Sequence, residues 1–224
     1  MDSVVISLGG SVVFSEEADV KFFKDLIILL KKLSETYKIY IIIGGGKTAR
    51  EYIKAGRSIG FDEETLDKIG IDVTRVNAKF LASMIESANK IIPNTTDEAK
   101  GMTENIVIMG GTTPGHSTDM VGAELAEKTK ASKYIIATNV DGVYDKDPNK
   151  YPDAKKFDEI SIKQLVKKYG TKWESAGKNT VIDGPALEII DRANITTFVL
   201  NGKKLDELEK AISNKKFNGT IIKN

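Results

Sequence analysis

The sequence predicts an α/β fold in which a parallel sheet carries helices on both faces. Two observations support this prediction: short runs rich in Val and Ile alternate with longer amphipathic segments, and glycine-rich loops follow three of these runs. Strands that are buried on both faces appear as short, continuous apolar runs. Their alternation with helical patterns is typical of a parallel sheet.

The elements can be placed in order from these patterns. The predicted strands cover residues 4–8, 39–43, 106–109, 134–138 and 196–200. The predicted helices carry apolar residues three and four positions apart, as one buried helix face requires. They cover residues 20–33, 49–56, 121–126 and 187–193. Residues 145–158 are polar and hold two of the five prolines, so they are predicted to form a long loop.

Length and composition limit the possible organisation and function. A single domain over residues 1–224 is the simplest interpretation, with two lobes meeting near residue 130. Lys plus Arg number 33 and Asp plus Glu 32, so the net charge of +1 gives no reason to expect a nucleic-acid partner or a membrane surface. The start of the chain does not resemble a signal peptide, and no stretch approaches the roughly 20 apolar residues of a membrane span. Cysteine is absent, which is compatible with a reducing compartment, and a cytoplasmic location is expected.

Three glycine-rich loops stand at the ends of predicted strands. They are Gly9-Gly10-Ser11, Gly44-Gly45-Gly46-Lys47, and the loop of residues 110–115. Open α/β sheets bind ligands at the carboxyl ends of their strands. Glycine lets backbone N–H groups converge on phosphate oxygens, and a helix that starts at the loop adds a favourable dipole. One such loop is as often a simple tight turn, but three together favour a ligand with several phosphates.

Two familiar nucleotide motifs do not fit the second loop. Gly46-Lys47-Thr48 resembles the end of a Walker A loop, but Ile41 occupies the position of the required first glycine. Thr48 is therefore expected only to help cap the following helix. The dinucleotide-binding pattern places Ala49 at its last glycine, a replacement that motif tolerates, so a nicotinamide site remains an alternative.

Polar residues near the loops are candidates for chemistry. Arg50 lies one turn into the helix after the second loop, where its guanidinium could reach a phosphate; a solvated helix face is the alternative. Asp119 either caps a helix or orients groups around a transferring phosphoryl group or a bound Mg²⁺. His116 is the only histidine, and the residues alone assign it no chemistry. Tyr144 could lie against a purine base with Asn139 or Asp147 as hydrogen-bonding partners, or it could be buried beside a hairpin turn.

These motifs together resemble the amino acid kinase family, and most closely its archaeal-type uridylate kinase branch. The resemblance extends over nearly the whole chain. It is carried by Gly9-Gly10-Ser11, by residues 44–50, by residues 110–119, by residues 138–144 with Asp147-Pro148, and by residues 70–78 and 175–183.

The resemblance implies a three-layer αβα sandwich around a mainly parallel sheet, with ATP and Mg²⁺ as cofactors and UMP as the phosphate acceptor. It also implies a homohexamer built from dimers, an acceptor-binding lobe over residues 1–130 and an ATP-binding lobe over residues 131–224. By the family pattern the ATP-binding residues are Gly9, Gly10, Ser11, Gly45, Arg50, Thr138, Asn139, Tyr144 and Asp147. The UMP-binding residues are Gly44, Asp67, Thr112, Thr113, Pro114, Gly115, His116, Ser117 and Thr118. Asp119, Lys47 and Arg50 are the candidate catalytic residues, and no metal site built from protein ligands is expected.

One position departs from the family pattern. Many members carry a lysine two residues before the first glycine pair, where this chain has Ser7. Another cation must then balance the charge of the transferred group, and Lys47 is the candidate. Related kinases that act on isopentenyl phosphate or acetylglutamate, and a non-catalytic nucleotide-binding module on the same fold, remain alternatives.

The predicted helix over residues 20–33 is apolar over more of its surface than one buried face requires. Its apolar residues are Phe22, Phe23, Leu26, Ile27, Ile28, Leu29 and Leu30. We therefore expect part of this helix to pack against another subunit.

Overall fold

One seven-stranded sheet organises the chain in the computed structural model, which describes residues 1–14, 19–171 and 181–223. The strands are β1 (Asp2–Leu8), β2 (Tyr37–Ile43), β3 (Ile106–Met109), β4 (Lys133–Thr138), β5 (Glu159–Ser161), β6 (Thr197–Asn201) and β7 (Gly219–Lys223). Their order across the sheet is β3-β2-β1-β4-β6-β7-β5. Every neighbouring pair is parallel except β6 and β7. The prediction of a mainly parallel sheet is confirmed.

Helices cover both faces of this sheet. They are α1 (Gly10–Val13), α2 (Val20–Leu33), α3 (Gly46–Ser58), α4 (Glu63–Ser83), α5 (Thr96–Gly101), α6 (Thr118–Thr129), α7 (Ile162–Tyr169), α8 (Gly184–Ala193) and α9 (Leu205–Ile212). One core cluster joins the sheet to α2, α4 and α9, and a second joins its other face to α6, α7 and α8. Alternate residues of the central strands supply the two clusters, as the two-residue period of a strand requires. The three-layer αβα sandwich is therefore confirmed.

The register of the central strands brings their carboxyl ends to one edge. Leu8 at the end of β1 pairs with Ile43 of β2 and with Ala137 of β4, and Ile42 pairs with Met109 of β3. The loops after these four strands consequently start within about one residue of each other along the sheet. This edge is where the three glycine loops were predicted to act.

Several elements were not predicted from the sequence: α1, α4, α5, α7, α9, β5 and β7. Helix α4 is the most consequential omission. Its inward side carries the polar residues Thr74 and Asn77, both buried, which weakens the apolar pattern of the helix. The predicted long loop over residues 145–158 does lack helix and strand, apart from an antiparallel bridge between Tyr144 and Lys156 at its margins.

The apolar surface of α2 is mostly used within the chain. Phe22, Phe23, Leu26, Leu29 and Leu30 are buried, whereas Ile28 is 66% exposed. The expectation of a second apolar face on α2 therefore applies to little more than Ile28. Among the described residues, no helix combines the length and the apolar character needed to cross a membrane.

Candidate active site

A cleft opens at the carboxyl edge of the sheet, between the glycine loops, α4 and the first turn of α6. The predicted site residues that line it are Gly9, Gly10, Ser11, Gly44, Gly45, Arg50, Asp67, Thr113, His116, Ser117, Thr118, Asp119 and Thr138. The predicted site residues outside its lining are Lys47, Thr112, Pro114, Gly115, Asn139, Tyr144 and Asp147. Positions separated by more than 100 residues in the chain thus meet in one cleft, because parallel strands end together.

The first two glycine loops pack backbone against backbone. A Cβ atom at Gly10 would overlap the nitrogen of Gly46 and the carbonyl group of Gly44. Gly46 has a φ of 67°, in the left-handed region, and a Cβ atom there would lie 2.9 Å from the carbonyl carbon of Gly10. Both positions therefore require glycine, and the two loops form one continuous backbone surface at the base of the cleft.

Helix α4 holds the second and third glycine loops with three polar side chains. Asp67 Oδ2 accepts the Gly115 N–H at 2.6 Å, Thr74 Oγ1 accepts the Gly111 N–H at 2.7 Å, and Asn77 Nδ2 donates to the Gly44 carbonyl at 2.9 Å. Asp67 was predicted as a site residue. Thr74 and Asn77 were not, because the sequence gives no sign that a buried threonine and asparagine on one helix face the glycine loops.

Asp119 lies in the first turn of α6 but does not cap it. Ser117 is the N-cap, and its hydroxyl accepts the Met120 N–H at 2.9 Å. The Asp119 carboxylate instead points across to β1, where it accepts a hydrogen bond of 2.6 Å from the Ser7 hydroxyl. Tyr134 fixes the same turn from β4 by donating to the Asp119 carbonyl at 2.8 Å. The capping explanation for Asp119 is therefore removed, and its side chain is available to the cleft.

A second carboxylate lies close to Asp119. Asp183 caps α8 by accepting the Ala186 N–H at 2.8 Å, and it also accepts a hydrogen bond from the Ser117 hydroxyl. Burial, together with the charge of Asp183, raises the pKa of Asp119 to about 7. Burial likewise raises the pKa of Asp183. Asp183 was not among the predicted site residues, although an Asp before Gly184-Pro185 is a recognisable helix start.

The described lining of the cleft contains one Lys or Arg residue, Arg50 of α3. Lys47, the candidate replacement for the family lysine, lies on the exposed side of α3 with its Nζ 3.8 Å from Glu51. Ser7, at the position of that lysine, is nearly fully buried and bonded to Asp119. Arg50 is thus better placed than Lys47 to meet a bound phosphate.

His116 lies in the third loop, next to the N-cap of α6. Its ring lines the cleft, and its Nδ1 atom is buried without a hydrogen-bond partner among the described residues. An imidazole nitrogen in this position can serve a bound ligand.

The residues predicted for adenosine extend away from the cleft along the loop after β4. Thr138 ends β4 and lines the cleft, and its carbonyl accepts the Gly202 N–H at 2.8 Å. Tyr144 forms the bridge with Lys156, and burial raises the pKa of its hydroxyl. Asp147 accepts the Asn149 N–H at 3.0 Å and so orders the start of the long loop. Of the family segment 175–183, residues 175–180 lie outside the described residues.

The cleft offers Mg²⁺ a small number of oxygen ligands from the protein. Asp119 and Ser7 present carboxylate and hydroxyl oxygens, the hard ligands that Mg²⁺ prefers. The described residues contain no group of three or more His, Cys, Asp or Glu that could hold a metal ion. These features fit an ion that is held largely by substrate phosphates and water, with Asp119 as a protein contact.

The fold and this cleft define a class of protein: a phosphoryl-transfer enzyme whose cleft is lined by the backbone of glycine loops. The sequence profile of the amino acid kinase family matches residues 2–201. The chain belongs to the amino acid kinase family.

Uridylate kinases are among the members of that family to which this chain is similar. The chain is 44% identical to the uridylate kinase of Methanocaldococcus jannaschii and 41% identical to that of Methanobrevibacter smithii, each match covering 98% of both chains. The crystal structure of the Archaeoglobus fulgidus uridylate kinase matches with a TM-score of 0.87 and 42% identity over 99% of this chain and 100% of that one. The UMP kinase of Ureaplasma parvum, at 23% identity and a TM-score of 0.81, shares the fold.

Proposed function

We propose that this chain is a UMP kinase, which transfers the γ-phosphoryl group of ATP to UMP and yields UDP and ADP. The single observation that carries this proposal is the convergence of three glycine loops and Asp119 in one cleft, in a chain that matches archaeal uridylate kinases over almost its full length. Backbone N–H groups in such loops suit phosphate oxygens, and two phosphorylated substrates need more than one loop.

Each part of the cleft has a proposed role. Gly9-Gly10 of the first loop and Gly45 of the second, with Arg50 beside them, hold the ATP phosphates. Thr138 and the loop through Asn139, Tyr144 and Asp147 hold adenosine. The third loop, from Thr112 to Thr118, holds UMP together with Gly44 and Asp67. Its contact with Asp67 through the Gly115 N–H supports a shared acceptor site.

The proposed reaction is a direct in-line transfer. An oxygen of the UMP phosphate forms a bond to the γ-phosphorus of ATP as the bond from that phosphorus to the β–γ bridging oxygen breaks, and ADP leaves with that oxygen. The attacking oxygen is already anionic, so no strong general base is required. The contribution of the protein is positioning and neutralisation of the charge on the transferred group. Arg50 supplies positive charge from the protein, and the loop N–H groups supply hydrogen bonds.

Mg²⁺ would screen the charge of the ATP phosphates when it is bound. Asp119 would face it, held in place by the Ser7 hydroxyl, while Ser117 fixes the neighbouring Asp183. We also propose a homohexamer built from dimers and a cytoplasmic location. The full-length match to archaeal uridylate kinases and the absence of cysteine support this part of the proposal.

A turnover assay with several acceptors tests the function. Purified chain with ATP and Mg²⁺ should form UDP from UMP, and CMP or N-acetylglutamate should be much poorer acceptors. UDP is measured directly by chromatography, so ATP hydrolysis without transfer is recognised as ADP formed without UDP. Equal turnover of CMP, or no UDP from UMP, contradicts the assignment.

A further inference from the structure

Helix α4 joins loops that belong to the two different substrates. Its side chains Thr74 and Asn77 are buried, with 7% and 8% of their surface exposed. They lie three residues apart, so they are neighbours on one side of the helix. Asn77 contacts the second glycine loop, where Gly45 is assigned to ATP and Gly44 to UMP, and Thr74 contacts the third loop, on the acceptor side of the proposed reaction.

Asn77 fixes the second loop, which lies between the two proposed substrate sites. Its Nδ2 donates to the Gly44 carbonyl at 2.9 Å. A Cβ atom on Gly44 would lie 2.8 Å from the nitrogen of Gly10, so the first loop rests directly on the second. Because those two backbones are in contact, a shift of Gly44 displaces both phosphate-binding loops together.

Thr74 fixes the acceptor side. Its hydroxyl donates to the Ile71 carbonyl at 2.6 Å and accepts the Gly111 N–H at 2.7 Å. A Cβ atom on Gly110 would lie 2.6 Å from Thr74 Oγ1 and 2.8 Å from the backbone nitrogen of Arg75. The third loop is therefore seated on the backbone of α4, and the Thr74 hydroxyl sets its position there.

We propose that Thr74 and Asn77 are positioning residues, which set the distance between the ATP phosphates and the UMP phosphate by tying both sets of loops to one rigid helix. This inference rests on the proposed function. In this role neither residue transfers a proton or contacts the reacting atoms, although Thr74 is part of the cleft lining. Their effect is on the alignment of the two substrates, and a displacement of about 1 Å can reduce the rate on the order of 100-fold.

The test compares kcat with KM in matched variants. Thr74→Val keeps the shape of the side chain but loses the hydroxyl, and Asn77→Ala loses the amide. Both should lower kcat by tenfold or more, with KM for UMP and ATP changed by less than about threefold, the pattern expected when transition-state alignment alone is lost. Thr74→Ser retains the hydroxyl and should restore most of kcat.

Asn89 provides the structural control. It is 1% exposed, and its side chain makes three hydrogen bonds to backbone groups of Ile91 and Ile108, away from the cleft. Asn89→Ala should lower the melting temperature at least as much as Asn77→Ala and leave kcat unchanged. An equal loss of kcat in Asn89→Ala, or kcat within twofold of the unmodified chain in both Thr74→Val and Asn77→Ala, would overturn the proposal.

Hydrogen exchange separates this proposal from the assignment of UMP as acceptor. In Thr74→Val the amides of residues 110–113 and of Gly115 should exchange faster than in Asn89→Ala, without any substrate present. Protection of these amides equal to that in the unmodified chain contradicts the positioning role even if UDP is formed. If these amides exchange faster in a chain that forms no UDP, the positioning role of Thr74 is supported and only the assignment of UMP as acceptor is rejected.

Discussion

Asp119 and Asp183 place two carboxyl groups close together at a site that must accept anionic substrates. Burial and the neighbouring Asp183 raise the pKa of Asp119 to about 7, so part of the unliganded protein carries a proton there at neutral pH. A bound cation favours the ionised form. Binding of a cation beside the pair would therefore release the proton of Asp119. The hydrogen-bond donor to Asp119 from β1 is Ser7, at the position where many family members have a lysine.

Replacement of Asp119 by Asn tests this interpretation through both rate and stability. Asp119→Asn should lower kcat on the order of 100-fold, as the loss of a single electrostatic group in an active site commonly does. In the unmodified chain, Asp119 holds a proton between pH 3.8 and about 7 that the unfolded chain has released. The free energy of unfolding should therefore fall as the pH rises through this window, by about 1.4 kcal/mol for each pKa unit if the site is undisturbed. Asp119→Asn should flatten that slope in urea titrations at several pH values.

Asp145 supplies a control of opposite sign. The N–H of Lys155 donates to its carboxylate at 2.8 Å and lowers its pKa. Asp145→Asn should leave the decline of stability toward pH 7 in place. A near-normal kcat in Asp119→Asn would remove Asp119 from the catalytic residues.

Some residues of the cleft could be predicted from the sequence and others could not. The glycines of the first two loops, Arg50 and Asp119 were predicted to lie near a common site and do line the cleft, because their types and spacing after strands carry chemical information. Asp183, Thr74 and Asn77 could not, because their roles arise from contacts across the fold: Asn77 meets a loop 33 residues away and Thr74 one 37 residues away. Lys47 shows the converse, since its position in the motif does not place it in the cleft lining.

At the scale of elements, hydrophobic period predicted the central strands and helices α2, α3, α6 and α8, but it missed the amphipathic helices α7 and α9. It did not predict α4, whose inner side is partly polar, nor β5, which has three residues. Helix α3 differs from expectation at its start: its N-cap is Gly45, which makes no side-chain cap hydrogen bond, and Thr48 is exposed in the first turn. The expected capping role of Thr48 is therefore wrong.

The joined loops predict a sharp difference between two glycine positions. Gly10→Ala places a Cβ atom against Gly44 and Gly46, so it should abolish most activity and cost about 1–3 kcal/mol of stability through overpacking. Gly101→Ala is the matched control, because nothing lies within 4 Å of its added Cβ atom. Turnover and urea unfolding of both variants give the comparison.

Thr48→Ala tests whether the second loop acts as a Walker A loop. In a Walker loop the hydroxyl would be a Mg²⁺ ligand, and its loss would raise the Mg²⁺ requirement steeply. If the loop backbone binds the phosphates instead, the Mg²⁺ dependence and the stability of Thr48→Ala should both stay close to those of the unmodified chain. Full activity of Gly10→Ala together with a raised Mg²⁺ requirement in Thr48→Ala would contradict the backbone account of these loops.

At the scale of the whole molecule, the sheet runs without interruption from β3 to β5, and both core clusters draw on strands from either side of residue 130. The division into an acceptor lobe and an ATP lobe stays a prediction about ligands.

Two exposed apolar residues on α4 bear on assembly. Val76 and Phe80 lie one turn apart on α4 and are 67% and 48% exposed. Phe80 packs against Phe14 and Phe23, with ring centroids 5.6 and 5.5 Å apart.

This exposed apolar surface predicts association of the chain with copies of itself. Light scattering at micromolar concentration should give a mass several times that of one chain, and six times that mass if the proposed hexamer forms. Val76→Glu should shift the mass toward smaller species, because a charge on a buried interface must be desolvated, while Val76→Thr keeps the branched shape and should retain the assembly. Val76 is exposed in the single chain, so neither change should alter the circular dichroism of the fold. A monomeric mass for the unmodified chain contradicts the predicted assembly, and an unchanged mass for Val76→Glu places the interface elsewhere on the surface.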